Sequence, residues 1–284
     1  MPGMKQLIFF TESFPYGKGE SFIENEIEYL SREFDRIYIL PKTSSTQEQR
    51  SLPANCIVFP PIFRSSGELY FFKKLISEKA YTSLYKFKKY IATAITCRCI
   101  LADKNFKRLN RQSTESTVYF YWGIGMAYIL PFIHNKDKKI VRFHRTDLYA
   151  DLRPHQYIPF RKEVFESLNK AVFISKQGLE YAKKNFGQYK FSAYCSYLGT
   201  KDHGISKIKN EDGVIHILSC SNVVPVKRVS LILKSLLLIP DRPIQWTHIG
   251  GGKGFNALQQ QLQQLPANLT VHLTGAITNR EVIG

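Results

Sequence analysis

Lys227 and Arg228 are adjacent cations in the stretch VIHILSCSNVVPVKRVSLILKSLLLIP, Val214 to Pro240. Lysine offers a point charge and arginine a planar fork, and both suit a phosphate or diphosphate. Around them, Val214 to Leu218 reads as a buried strand and Ser219 to Asn222 as a small polar turn. Leu231, Leu233, Leu236 and Leu237 then recur at helical spacing up to the breaker Pro240. The two cations therefore fall between a strand's carboxyl end and a helix start. Open α/β sheets receive ligands there, and helix amides favour anions. A solvated basic turn is the alternative.

Three other clusters could do chemistry. His144-Arg145-Thr146-Asp147 follows the apolar run Lys139 to Phe143, so a proton-exchanging group sits at a strand's end. The loop Thr11 to Glu20 holds Pro15, Gly17 and Gly19, and its glycines let a ligand approach the first strand. They equally fit an ordinary tight turn. Gly250-Gly251-Gly252-Lys253-Gly254 follows the strand-like Ile244 to Ile249. None of these spacings is GxGxxG, which disfavours a dinucleotide enzyme.

The elements that must position these residues alternate strand and helix. Lys5 to Phe10 reads as a strand. The helix after it carries Phe22, Ile23, Ile27 and Leu30 on one face, with Ser21 and Glu24 at capping-box spacing. Arg36 to Leu40 is the next strand and Cys56 to Phe59 a third. Strands follow at Thr117 to Trp122, Lys139 to Phe143, Ala171 to Ser175 and Ser192 to Leu198. Helices are expected at Arg161 to Asn169 and at Lys176 to Phe186, the latter closed by Gly187. This rhythm is a doubly wound parallel sheet covered on both faces. The polar run Lys201 to Asp212 reads as a linker. A second sheet begins beyond it with Val214, Ile244 and Asn268 to Leu273, and Thr278 to Ile283 starts a further helix. We place one domain at 1–205 and a partial second at 206–284.

With 284 residues, 44% of them hydrophobic, the chain can bury a large core. A net charge of +17 points to an anionic partner. The five cysteines are scattered and form no zinc pattern, so reduced, packed thiols and no metal are expected. MPGMKQLIFF lacks a signal-peptide pattern and no apolar window spans a bilayer, so a cytoplasmic location is expected.

Arg64 to Arg111 concentrates the charge, with twelve lysines or arginines against three acids. Aromatic residues are interleaved, and Leu84, Phe87, Ile91 and Ala94 repeat at helical spacing. Lys73, Lys74, Lys86, Lys88 and Lys89 would face an anionic membrane surface. Nucleic acid is the rival anion, but no helix-turn-helix, zinc or RNP pattern supports it. A solvated basic face over a core helix is the third reading.

In order along the chain, FPYGKGESFIENEIEYL, VRFHRTDLY, AVFISKQGLEYAKKNFG with YLGT, SCSNVVPVKRVSLILKSL, WTHIGGGKGFNALQQQL and LTVHLTGAITNREV resemble the family 4 glycosyltransferases of the GT-B fold. That fold has two Rossmann-like domains facing across a cleft, an N-terminal acceptor domain and a C-terminal donor domain. The resemblance implies a retaining glycosyltransferase that uses a nucleotide-diphosphate sugar and no cofactor or metal. Lys227 and Arg228, helped by Asn222, would meet the donor's diphosphate. Gly251 and Gly252 would border the nucleotide. Gly17 and Gly19 would bring the N-terminal loop to the transferred group, and His144 would serve at the reacting sugar or acceptor. The acceptor would be a glycan or a lipid-linked saccharide for a surface polysaccharide, with the enzyme peripheral on the membrane's inner face.

Two departures stand out. The family's Gly-Arg pair after the first donor-domain strand is replaced by Cys220-Ser221 or Ser221-Asn222. The family's pair of glutamates eight positions apart is not reached by Gly284, so a truncated donor domain with impaired activity is expected. On that basis a non-catalytic membrane- or glycan-binding fragment is the alternative. Association through an uncovered sheet is also expected.

Overall fold

A computed structural model describes residues 4–17, 19–44, 48–62, 78–111, 116–133, 138–202, 204, 213–277 and 281–282. The chain divides into two compact units, Met1–Lys201 and Asp202–Gly284.

The first unit is built on seven parallel strands: β1 (Gln6–Thr11), β2 (Arg36–Pro41), β3 (Cys56–Val58), β4 (Thr117–Phe120), β5 (Lys138–Phe143), β6 (Lys170–Phe173) and β7 (Ser192–Cys195). Their order is β3-β2-β1-β4-β5-β6-β7. The chain thus winds one way from β1 to β3 and the other way from β4 to β7, and the switch lies between β1 and β4. Core strands read as continuous apolar runs because both faces are covered: Leu7, Ile8, Phe9 and Phe10 are all buried. On one face α1 (Phe22–Glu33) packs Ile23 and Ile27 against Leu7, Phe9, Ile37 and Ile39. On the other, α2 (Leu84–Ala102), α3 (Lys104–Arg111), the 3-10 segment Gly125–Phe132 and α5 (Arg161–Ser167) close a larger core, with the single turn α4 (Arg145–Leu148) contributing Leu148. The helix α6 (Lys176–Phe186) adds Ala182 to that core.

The capping box expected at Ser21 does not form. Ser21 is itself in the helical region and makes no side-chain cap, while Glu24 pairs with Arg50 at 3.0 Å. A better charge partner outcompetes the local backbone amide. Of the repeat named in α2, Leu84, Phe87 and Ile91 are exposed and Ala94 is buried, and the core face is Tyr90, Ala94, Cys97 and Ile100.

The second unit has three parallel strands, β8 (Ile215–Cys220), β9 (Ile244–Ile249) and β10 (Leu269–Gly275), in the order β10-β9-β8. The helices α7 (Val229–Leu236) and α8 (Phe255–Gln260) share one core cluster with Ile244 and Trp246. The alternate positions His216, Leu218, Cys220, Thr270, His272 and Thr274 are exposed. Val214 to Leu218 is therefore not a buried strand: β8 is at the sheet's edge, and Leu218 is 67% exposed. Leu231 and Leu237 are likewise exposed, and Val229 with Leu233 and Leu236 forms the packed face of α7. The helix expected over Thr278 to Ile283 falls mostly outside the described residues.

Candidate functional site

His144 leaves β5 and opens α4. It is only 6% exposed; its side chain faces the Asp147 amide in a capping box, and among the described residues Nε2 has no hydrogen-bond partner. Its Nδ1 is 3.7 Å from Asp147 Oδ2, beyond hydrogen-bond reach. Trp122 lies against the imidazole, with ring centroids 4.2 Å apart, and Tyr121 and Phe22 complete the aromatic surround. Asp147 holds the backbone instead: its carboxylate accepts from His144 N at 2.5 Å and from Gly123 N at 2.6 Å. The half-buried Arg161 donates to the Asp147 carbonyl. Gly123 is required here, since a Cβ would stand 2.2 Å from the Phe143 ring. A buried imidazole with an unmet nitrogen costs about 1–3 kcal/mol. Such a group is a standing invitation to a hydrogen-bonding ligand. It lines a pocket of about 450 Å³ with Arg145, Tyr149, Ser175 and Gly178.

A second pocket of about 450 Å³ lies at the carboxyl ends of β1 and β4, at the sheet's switch point. The loop between β1 and α1 forms one wall. Glu20, with φ +54°, folds its carboxylate back to accept from the amides of Glu12 (3.1 Å), Ser13 (2.7 Å) and Phe14 (2.7 Å). It also accepts from Trp122 Nε1 at 2.6 Å. Gly17, at φ +67°, and Gly19 are tied by their carbonyls to Arg50. Neither glycine lines this pocket; Glu12, Ser13 and Glu20 do.

In the second unit, Asn222, Lys227, Arg228, Gly251 and Gly252 all follow the carboxyl ends of β8 and β9. The two turns are laced together: Val223 N donates to Gly251 O at 2.7 Å and Gly254 N to Val223 O at 3.0 Å. The tightest glycine is Gly250, at φ +142°, where a Cβ would come within 1.9 Å of Ser221 O. Gly252 is at φ +133° and faces Val223 O. Lys227 ends the 3-10 turn Pro225–Lys227, and Arg228, left-handed at φ +53°, precedes α7. Asn222, Lys227 and Arg228 are exposed, and among the described residues neither cation has a carboxylate within ion-pairing distance. The two diverge, however. Arg228 lines a groove of about 390 Å³ between α7 and α8, and Lys227 does not.

The lysines of the basic region also diverge. Lys86 Nζ lies 5.8 Å from the Tyr157 ring centroid, Lys89 lines the switch-point pocket, and Lys88 is exposed. Lys73 and Lys74 lie outside the described residues. One helical turn separates side chains that sequence proximity groups together. Beside Lys88, Leu84, Phe87, Ile91 and Ile95 form an exposed apolar stripe at steps of three and four residues.

Sequence reading gave no role to Glu20 or Trp122, and it named Asp147 and Gly250 only as members of their clusters. Their signals were present: a charge closing a glycine loop, an indole ending an apolar strand, an acid three residues after His144, and a first glycine in a run. Nothing in the sequence said which of these the fold would turn inward. Among the described residues, no group of three or more His, Cys, Asp or Glu is placed to hold a metal ion, and no helix is long and apolar enough to cross a membrane.

No protein-family model and no curated protein matches this chain. Solved structures do. TarM is similar over 98% of this chain and 78% of its own, with TM-score 0.65 and 11% identity. Anabaena HepE, solved with UDP and glucose, is similar over 97% of this chain and 70% of its own, with TM-score 0.59 and 15% identity. WaaG, a glycosyltransferase involved in lipopolysaccharide biosynthesis, is similar over 98% of this chain and 71% of its own, with TM-score 0.58 and 10% identity. A second TarM structure is spanned over 38% of its length, at TM-score 0.47. The fold is the α/β fold of two parallel-sheet units found in GT-B glycosyltransferases.

Proposed function

We propose that this chain belongs to a retaining glycosyltransferase of the family 4 type. It moves a sugar from a nucleotide-diphosphate sugar to a glycan or lipid-linked acceptor in cell-surface glycan assembly. The observation that carries the reading is the pair of unmatched cations at the strand ends of a GT-B second unit. When the anomeric carbon–oxygen bond of the donor breaks, the departing diphosphate gains negative charge. Fixed cations stabilise that change more than they stabilise the ground state. Lys227 and Arg228 supply the charge, with no metal or other cofactor. Asn222 adds a neutral hydrogen bond, and the Gly251–Gly252 turn lets the nucleotide approach the backbone. In the first unit, the loop of Gly17 and Gly19 borders the transferred sugar. His144 hydrogen-bonds a sugar hydroxyl or handles the acceptor's proton through a ring nitrogen that has no protein partner.

The apolar stripe of α2, with Lys88 at its edge, holds the protein against an anionic membrane. That stripe is also the one observation favouring the second reading, a non-catalytic membrane- or glycan-binding chain. Calorimetric titration of the chain with UDP, GDP and ADP separates the two. Binding of one nucleotide, weakened about tenfold in Lys227→Ala and in Arg228→Ala, supports the transferase. No binding of any nucleotide, together with retained vesicle binding, overturns it.

A further inference from the structure

The switch-point pocket of the first unit has features that the donor chemistry does not use. Trp122 is locked by its indole donation to Glu20 and remains part-exposed at the pocket wall. A fixed, part-exposed indole is a platform for the apolar face of a pyranose ring. Both carboxylates on the wall are already engaged. Glu12 is paired with Lys42 at 2.7 Å, and Glu20 is taken up by three backbone amides and Trp122. Two cations face the same space without such engagement. Lys89, exposed on α2, lies 5.8 Å from the Tyr85 ring centroid. Arg153 reaches in from the segment after β5, and among the described residues no carboxylate is within ion-pairing distance of either. An anionic group on a sugar could pair with both, which a neutral sugar cannot do.

We infer that this pocket is the acceptor site and that it takes a saccharide bearing an anionic group, a phosphate or a carboxylate. The ring lies on Trp122, and the anion lies between Lys89 and Arg153. On the same α2 face Thr93 offers a hydroxyl, and Thr96 Oγ1, which donates to Ala92 O at 2.9 Å, can still accept from a ring substituent. The inference rests on the transferase reading for the word acceptor, but the pocket's ligand class stands on its own geometry.

The chain has two tryptophans, and Trp246 is fully buried in the other unit, so fluorescence quenching by a ligand reports Trp122. Intact protein is titrated with glucose, glucose 1-phosphate and glucuronate. We expect one or both anionic sugars to bind at least about tenfold more tightly than glucose, with the preference lost in Lys89→Gln/Arg153→Gln. The control Lys184→Gln, an exposed lysine on α6, should bind as the parent does. A preference for glucose 1-phosphate alone assigns the anion as phosphate, and for glucuronate alone as carboxylate. Equal affinity for glucose, no quenching by any sugar, or quenching by UDP alone overturns the proposal. Sugar binding that persists in a protein that binds no nucleotide would defeat the transferase reading and leave the pocket assignment intact.

Discussion

At the residue scale, His144 is the group whose surroundings most demand a ligand. It is buried among Phe22, Tyr121 and Trp122, and among the described residues its Nε2 has no partner. Replacement by alanine should lower turnover by about 10²-fold or more, the scale of a lost proton-handling group. Nucleotide affinity, measured by calorimetry, should stay unchanged, since the cations proposed to meet the diphosphate are in the other unit. An equal loss of both would move His144 from chemistry to folding. Gly250 makes an opposite kind of claim. It contacts no ligand in this account, yet Gly250→Ala forces a Cβ to within 1.9 Å of a carbonyl oxygen at a positive φ. We expect a loss of about 2 kcal/mol or more in the stability of the second unit, read as a lower urea midpoint.

At the scale of the element, α2 is the unusual case. One face packs Tyr90, Ala94, Cys97 and Ile100 into the core, a second presents Lys89, Thr93 and Thr96 to the switch-point pocket, and a third exposes Leu84, Phe87, Ile91 and Ile95. The hydrophobic repeat in the sequence was visible, but repeat alone does not say which apolar row faces the protein. The smaller row won because the adjacent 3-10 segment Gly125–Phe132 packs closely against α2. Ile91→Glu should leave folding stability within about 0.5 kcal/mol, as for exposed substitutions generally. It should sharply reduce sedimentation with vesicles of anionic lipid, and unchanged sedimentation would remove α2 from the membrane reading. The same logic applies to β8. Its apolar run resembled a buried strand, and only the sheet order put it at an edge. Leu218→Lys should lower any self-association seen by light scattering.

For the whole molecule, stability should depend on pH through the second unit. Burial lowers the pKa of His248 from its ordinary 6.5, opposed by a hydrogen bond to the Ser221 backbone. Between the lowered value and 6.5 the unfolded chain binds more protons than the folded one, so stability falls as the pH falls. It is fully present above 6.5 and is lost through the lowered folded value. Urea unfolding followed by Trp246 fluorescence in a Trp122→Phe background should show the midpoint dropping from pH 7.5 towards pH 5. His248→Gln should flatten that slope, and a parent midpoint independent of pH would refute the assignment. The thiols contribute nothing comparable. Burial pushes Cys56 up to about 11 and Cys97 higher still, so both stay protonated across the neutral range.

By itself, the sequence determined the order of strands and helices, the parallel sheets and the positions of the chemically capable residues at strand ends. Period, glycine placement and breakers are local properties, and local properties are written along the chain. It also placed His144, Lys227 and Arg228 at such ends without ambiguity. Only the tertiary structure decided what faced what. It buried His144 with Nε2 unmet among the described residues, spent Glu20 on three amides and an indole, and sent Lys86, Lys88 and Lys89 to three different surroundings. It also left the β8 face open. Those outcomes depend on contacts between residues far apart in sequence, such as Glu20 with Trp122, and no local pattern encodes the competition that settles them.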